Sequence, residues 1–140
     1  MFWQGGFTFY SAVVVPIGGS VLRSEPTQGF ITREVTEYLN LAGVVALAIW
    51  AWELSAEPLP RRLLSWSLWL VMAAALAALF WLHVRMDAHL DPDELRIHNR
   101  SGFRTLHRAY LILSTVQWVA ALVLLGGTLR AWMKSANRPC

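Results

Sequence analysis

The sequence predicts an all-α protein, an integral membrane antiparallel four-helix bundle that forms a single domain over residues 1–140. Its composition is 56% hydrophobic and only 15% charged, whereas soluble domains carry about 25% charged residues. The uncharged residues are concentrated in four runs, which cover residues 1–22, 38–52, 63–82 and 109–129. Only short segments connect these runs, so consecutive helices must run in opposite directions.

The lengths of the runs fit helices that span a membrane. A helix needs about 20 apolar residues to cross the hydrocarbon of a bilayer. The second run is shorter than this, so Glu37 and Glu53 at its ends are expected near the two interfaces. The eight tryptophans fall mostly near the ends of the runs, which predicts interfacial aromatic belts. We predict helices over residues 2–22, 35–54, 63–87 and 103–132.

Local signals refine the helices. The first run has no basic n-region and no A-x-A cleavage site, so we expect a permanent helix and not a secretory signal. Pro16 removes one backbone hydrogen bond and is expected to kink this helix. The segment EPTQG predicts a loop within residues 23–36, and the AAALAA segment at residues 73–78 predicts close helix packing.

The two ends of the bundle differ in charge. We name side A the face with both termini and residues 55–62, and side B the face with residues 23–36 and 85–108. Side B has seven of the 12 basic residues and side A has five, in shorter segments. Side A has more basic residues per residue of its segments, so the positive-inside rule favours side A in the cytoplasm. We therefore expect a multi-pass protein of the inner (plasma) membrane of the cell, with both termini cytoplasmic.

All four histidines lie within residues 83–107, on side B. His83, Met86 and Asp87 share one face of the third helix at i, i+3 and i+4. His107 lies near the start of the fourth helix. Because the third and fourth helices are antiparallel neighbours, His83 and His107 are expected at similar depth.

Polar residues of the second helix and of the fourth helix are predicted to lie near these histidines. Glu37 and Asn40 share a face of the second helix at i and i+3, and Arg104 lies one turn before His107. Such residues are costly near hydrocarbon unless they are paired, solvated or bound to an ion. The sequence therefore predicts a polar cluster at side B.

Several interpretations of this cluster stay open. It could be an interfacial layer in which charged side chains reach water, as we expect for His89 and His98. It could bind a transition metal through His83, Asp87 and His107, with Met86 as a soft ligand for copper. A haem b between His83 and His107 fits less well, because both histidines lie at helix ends. Proton handling by the histidines and carboxylates is the fourth interpretation.

The sequence does not predict an enzyme. It contains no nucleophile elbow and no phosphate-binding loop. Its single cysteine, Cys140, allows neither an internal disulfide nor a cysteine-based metal site.

Three segments carry a resemblance to a known family. They are GGFTFYSAVVVPIGGSVL, QGFITREVTEYLNLAGVVALAIW and FRTLHRAYLILSTVQW. Together they resemble a family of small bacterial four-helix membrane proteins of unknown function, which is distantly similar to the membrane domain of copper-resistance protein D. The resemblance places the histidine of the F-x-x-L-H motif at His107 and favours the metal interpretation.

The function that these observations predict is that of an accessory subunit or helper in a larger membrane complex. Four spanning helices rich in tryptophan and small residues suit contacts with other membrane helices. We expect the lipid bilayer, and other membrane subunits or further copies of the chain, as partners, and not nucleic acid.

Overall fold

The computed structural model describes residues 2–22, 25–56, 59–91, 96–97 and 99–136 of the chain. This part of the protein is an all-α bundle of four helices, as predicted, and each helix is long and apolar enough to cross a membrane. The helices are α1 (Phe2–Leu22), α2 (Glu25–Ser55), α3 (Leu59–Asp87) and α4 (Arg100–Ala136).

A small antiparallel ribbon lies between α3 and α4 on side B. Its strands are β1 (Leu90–Asp91) and β2 (Arg96–Ile97), with Leu90 opposite Ile97. After the ribbon, the side-chain Oδ1 of Asn99 accepts a hydrogen bond from the Gly102 N–H at 3.0 Å. Asn99 thus caps the first turn of α4, as a residue with a short polar side chain does at this position.

The prediction of a loop over residues 23–36 was wrong, because α2 begins at Glu25 and not at residue 35. Pro26 is the second residue of this helix. A proline is tolerated there, since the first N–H groups of a helix have no partner within it. Gly29 weakens the helix by about 1 kcal/mol relative to alanine, which does not end it. The EPTQG segment therefore begins a helix, and residues 23–24 lie outside the described part.

The distortion of α1 lies immediately before its proline. Tyr10–Val14 is π-helical, and the N–H of Val15 bonds to the carbonyl of Tyr10, five residues earlier. Pro16 has no N–H and its ring presses against the carbonyl four residues before it. A π-helical turn is a common way for a helix to accommodate such a disturbance.

The core runs along the inner faces of the helices. Its larger cluster consists of the buried Trp3, Leu47, Met72, Leu76, Ala120 and Ala121. A second cluster toward side B consists of Leu79, Leu82 and Tyr110. The small alanines of α4 let its backbone approach α3, the neighbour with which it shares its most extensive contact. Close packing of this kind holds membrane helices together.

The indole of Trp3 fixes α1 to the middle of α2. Its Nε1–H donates to the carbonyl of Leu39 at 2.9 Å. In a helix the N–H of Gly43 bonds to this same carbonyl, so the indole must approach close to Gly43. A Cβ added at Gly43 would lie 3.2 Å from Trp3 Nε1 and 3.5 Å from a methyl carbon of Leu76. A larger residue here would require Trp3 to shift by a few tenths of an ångström, so this crossing favours glycine.

Two more tryptophans bond to neighbouring helices. Trp69 Nε1–H of α3 donates to the Leu47 carbonyl of α2 at 2.9 Å. Trp118 Nε1–H of α4 donates to Thr8 Oγ1 of α1 at 3.0 Å, and its carbonyl accepts from Gln4 Nε2 at 3.2 Å. These indoles act as contacts between helices as well as apolar volume.

The hydrogen bonds also define how far α1 is displaced along α2. Trp3 lies beside Leu39, and further along α1 the Val15 carbonyl accepts from Gln28 Nε2 at 2.8 Å. Beyond Gly43, α2 continues toward side A for about 18 Å, at about 1.5 Å per residue, before it ends at Ser55. Helix α1 therefore accompanies the side B half of α2, where it forms one wall of the candidate site.

Candidate functional site

A cavity of about 440 Å³ lies at side B among all four helices. Its apolar walls come from side chains such as Val15, Leu90 and Phe103. Polar groups of three helices line the remainder: Thr32, Arg33 and Thr36 from α2, Asp87 from α3, and Arg100, Arg104, His107 and Tyr110 from α4. An apolar cavity with a few convergent polar groups is the usual form of a binding site.

The strongest polar contact of the cavity joins α2 to α3. Arg33 Nε–H donates to Asp87 Oδ1 at 2.5 Å, and its Nη2–H donates to Oδ2 at 3.0 Å. This two-pronged geometry is the strong form of an arginine–carboxylate pair. Arg33 also donates to Glu34 at 2.9 Å through Nη1. Both oxygens of Asp87 are therefore held by one guanidinium.

Sequence reasoning missed Arg33, because the segment that contains it was taken as a loop. The observed helix places Arg33 two turns before Asn40, on the same face at i and i+7. A basic residue at that position could have been recognised as facing the cluster once α2 was extended past Glu37. The missing signal was Pro26, which is typical of the first turn of a helix and is the second residue of α2.

His83 lies buried beside this ion pair. It is 8% exposed, and neither ring nitrogen has a hydrogen-bond partner in the described part of the chain. Its Nε2 is 3.8 Å from Asp87 Oδ2, which is beyond hydrogen-bonding distance. This Oδ2 is the oxygen that accepts from Arg33 Nη2. The predicted i, i+4 relation of His83 to Asp87 is therefore present, but Arg33 already occupies the carboxylate.

The predicted residues of α4 lie along the same cavity. His107 is half-buried on its wall and stacks on Phe103, with ring centroids 6.1 Å apart and planes 8° apart. Deeper in the bundle, Asn40 Nδ2 donates to Tyr110 Oη at 3.0 Å, while the Tyr110 hydroxyl lies 3.3 Å from Asn40 Oδ1. Asn40 thus bonds to a tyrosine and does not line the cavity.

Other predicted residues are placed differently. Met86 and Arg104 line the cavity with Asp87, whereas Glu37 is exposed on the outside of α2. His89 packs near Gly102 and its Nδ1 lies 2.9 Å from the Arg85 carbonyl. His98 falls outside the described residues.

Charge and ligand geometry bear on the metal interpretation. In the described part of the chain, no three His, Cys, Asp or Glu side chains lie close enough together to hold a metal ion. Among the described residues, the cavity wall includes three arginines but only one carboxylate, that of Asp87, and this carboxylate is bonded to Arg33. Since a cation is repelled by unneutralised guanidinium groups, this wall suits water or anionic groups better than a metal cation.

The comparisons with known proteins give no relative. No protein-family model matches the chain, and neither a curated protein nor a solved structure matches it. The resemblance to the family related to copper-resistance protein D thus stays a prediction.

Proposed function

We propose that this protein is an integral membrane protein that takes up and releases a proton at side B through His83, Asp87 and Arg33. The observation that carries the proposal is the position of His83. It is buried, both ring nitrogens lack a partner in the described residues, and Nε2 is 3.8 Å from a carboxylate oxygen. Histidine exchanges a proton near neutral pH, which leucine or asparagine at this position could not do.

Water in the cavity supplies the route for the proton. Asp87 lines the cavity and 31% of its side chain is exposed, while His83 lies behind it. A proton that arrives from water can therefore pass the carboxylate and reach the imidazole. An ionised histidine in the bundle interior is costly unless a counter-charge lies beside it, and Asp87 provides that charge.

Protonation of His83 would affect the contact between α2 and α3. Asp87 Oδ2 would then face two cations, the imidazolium at 3.8 Å and the Arg33 guanidinium at 3.0 Å. Because the two cations compete for one oxygen, the ion pair between Arg33 of α2 and Asp87 of α3 becomes weaker. Among the described residues, the surrounding groups that can also change charge include Glu34, which bonds to Arg33, and Glu37, whose charge acts on Arg33. His107 and Tyr110 lie on the opposite wall.

Nuclear magnetic resonance of ¹⁵N-histidine-labelled protein in nanodiscs tests the proposal. A His83→Leu variant identifies the His83 signal by its loss. Over a series of pH values we expect this signal to show a transition from a neutral to a doubly protonated ring. In Asp87→Asn the transition should differ from that of wild type, because the counter-charge is gone. The exposed pair partner Glu34→Gln serves as the control and should leave the transition in place.

Two results would contradict the proposal. One is a His83 ring that keeps the same protonation state from about pH 5 to 8. The other is a transition that is the same in wild type and Asp87→Asn, since the carboxylate would then have no part in it.

The metal interpretation remains a separate proposal for the same residues. Its ligands would be His83, Asp87, His107 and Met86, and Asp87 would have to leave Arg33 to bind. Metal analysis of protein purified without chelators tests it, with His107→Ala as the comparison. A bound copper ion that is lost in this variant would support the metal site and contradict the proton proposal. A bound haem would be detected by its absorption bands.

We also propose that the protein works as an accessory subunit in the bacterial inner membrane, with both termini in the cytoplasm. The support is the density of basic residues at side A and helices suited to contacts with other helices. Purification in mild detergent should yield a complex with other membrane proteins, and a protein that always purifies alone would argue against this role. Accessibility of tags at the two termini in spheroplasts tests the orientation.

A further inference from the structure

We infer that Arg100, Arg104 and Arg108 form a binding site for the phosphate of an anionic phospholipid at side B. The three arginines follow one another at i, i+4 and i+8, and so lie on one face of α4. With Ser101 and Thr105 they line a shallow cavity of about 490 Å³. All three are exposed.

Among the described residues, these arginines differ from Arg33 and Arg85 of side B in having no carboxylate or aromatic ring beside the guanidinium group. Within the described residues, no carboxylate lies within salt-bridge distance of any of them. Arg33, by contrast, bonds to Asp87 and Glu34, and the Arg85 guanidinium lies over the Trp81 ring at 5.2 Å.

An unneutralised row of this kind is unfavourable unless an anion binds to it. Like charges at i and i+4 destabilise a helix by about as much as opposite charges stabilise it. Guanidinium groups present planar pairs of N–H donors that match the oxygens of a phosphate. A single phosphate between Arg104 and either neighbour would relieve one repulsion and accept charge-assisted hydrogen bonds from both.

The continuation of the same face points to a lipid and not to a soluble phosphate. One turn after Arg108 come Leu111 and Ile112, whose exposed fractions are 52% and 65%. The face thus changes from three arginines to apolar side chains at the start of the uncharged run, as a phospholipid changes from phosphate to acyl chain.

The depths of Arg108 and Arg104 fit the headgroup layer. From Arg108 to Arg100 the helix rises by about 12 Å, at about 1.5 Å per residue. The polar layer on each side of a bilayer is about 5–8 Å thick. With Arg108 at the edge of the hydrocarbon, Arg104 lies about 6 Å further out, at phosphate depth, whereas Arg100 lies beyond the layer and only its long side chain can reach back to it.

This inference is independent of proton uptake at His83, which requires none of the three arginines. The two can therefore fail separately. All three arginines are exposed, although Arg100 and Arg104 also border the cavity that contains Asp87, whereas His83 is buried in the bundle interior.

Binding of short-chain lipids to the detergent-solubilised protein tests the inference. The probes are dioctanoyl phosphatidylglycerol, which is anionic, dioctanoyl phosphatidylcholine, which is zwitterionic, and inorganic phosphate. We expect the anionic lipid to bind at least about tenfold more tightly than the zwitterionic one. Arg104→Gln should weaken binding of the anionic lipid by about tenfold, because a charge-assisted hydrogen bond is lost.

Arg130→Gln is the matched control, since Arg130 is an exposed arginine of the same helix at side A, and it should leave binding unchanged. Equal affinity for the two lipids, or equal losses in the two variants, would overturn the inference. So would inorganic phosphate that binds as tightly as the anionic lipid, because the site would then take a soluble anion. Thermal unfolding of each variant without lipid checks that a loss of binding is not a loss of fold.

Discussion

Removal of the hydroxyl group of Tyr110 gives a direct test of the polar contact between α2 and α4. Asn40 is only 7% exposed, and the Tyr110 hydroxyl is within 3.0 Å of its amide nitrogen and 3.3 Å of its amide oxygen. Tyr110→Phe leaves this amide buried without its partner. A buried polar group that loses its partner costs about 1–3 kcal/mol, whereas hydrogen bonds between membrane helices average about 0.6 kcal/mol.

We expect Tyr110→Phe to lower the free energy of unfolding by about 1 kcal/mol, between these two values. The corresponding loss in Tm is about 3–5 °C for a domain of this size. Thermal unfolding in detergent, followed by circular dichroism, measures it. Tyr38→Phe is the control, because Tyr38 lies on the same helix as Asn40 and is 71% exposed.

A double variant separates the hydrogen bond from other effects of the substitution. Asn40→Leu combined with Tyr110→Phe replaces both partners by apolar groups, which can be nearly neutral. The double variant should therefore be more stable than the sum of the single losses predicts. Additive losses, or a Tyr110→Phe protein as stable as Tyr38→Phe, would refute the reasoning.

Two further substitutions test the contacts of α2. Asp87→Ala should lower the free energy of unfolding by about 1–3 kcal/mol. This is less than the 3–5 kcal/mol typical of fully buried pairs, because the Asp87 and Arg33 side chains are about 30% exposed. The control Glu34→Gln should lower it by less than about 0.5 kcal/mol, and equal losses in the two variants would contradict the prediction. Gly43→Leu should destabilise the bundle by about 1–3 kcal/mol through overpacking, as measured by thermal unfolding. Gly127→Leu, where an added Cβ has nothing within 4 Å, should not.

The fold could be predicted well from the sequence because a bilayer requires the backbone polar groups of a spanning segment to be bonded within the protein. Four uncharged runs of sufficient length, joined by short segments, leave few arrangements other than four antiparallel helices. The i, i+4 relation of His83 to Asp87 could also be predicted, since it lies within one helix and needs only the helical period.

The partners across helices could not be predicted, because they depend on how each helix is rotated and displaced. The bond from Arg33 to Asp87 requires α2 to continue through residues that resemble a loop in composition. Gly43 gives another example. It stands alone in an apolar run, and only the approach of Trp3 to the Leu39 carbonyl shows why it is small.

His83→Leu is the substitution that distinguishes a structural role of His83 from a proton-handling one. The neighbouring core residues Leu79 and Leu82 are apolar, so leucine suits the site. If His83 only filled space, its two unbonded nitrogens would be a cost that leucine removes. We therefore expect the variant to be as stable as wild type or up to about 1 kcal/mol more stable at pH 8, where histidine is neutral.

The pH dependence of this difference gives the decisive measurement. When His83 is protonated, it has a favourable interaction with Asp87 that leucine cannot make. The difference in unfolding free energy between His83→Leu and wild type should therefore change between about pH 8 and pH 5. His89→Gln is the control, and its difference from wild type should stay small, since His89 lies near the ribbon with Nδ1 toward the Arg85 carbonyl. A His83→Leu difference that is constant over this range would mean that His83 does not exchange a proton with consequences for the bundle. The role of the side B cavity would then rest on its arginines.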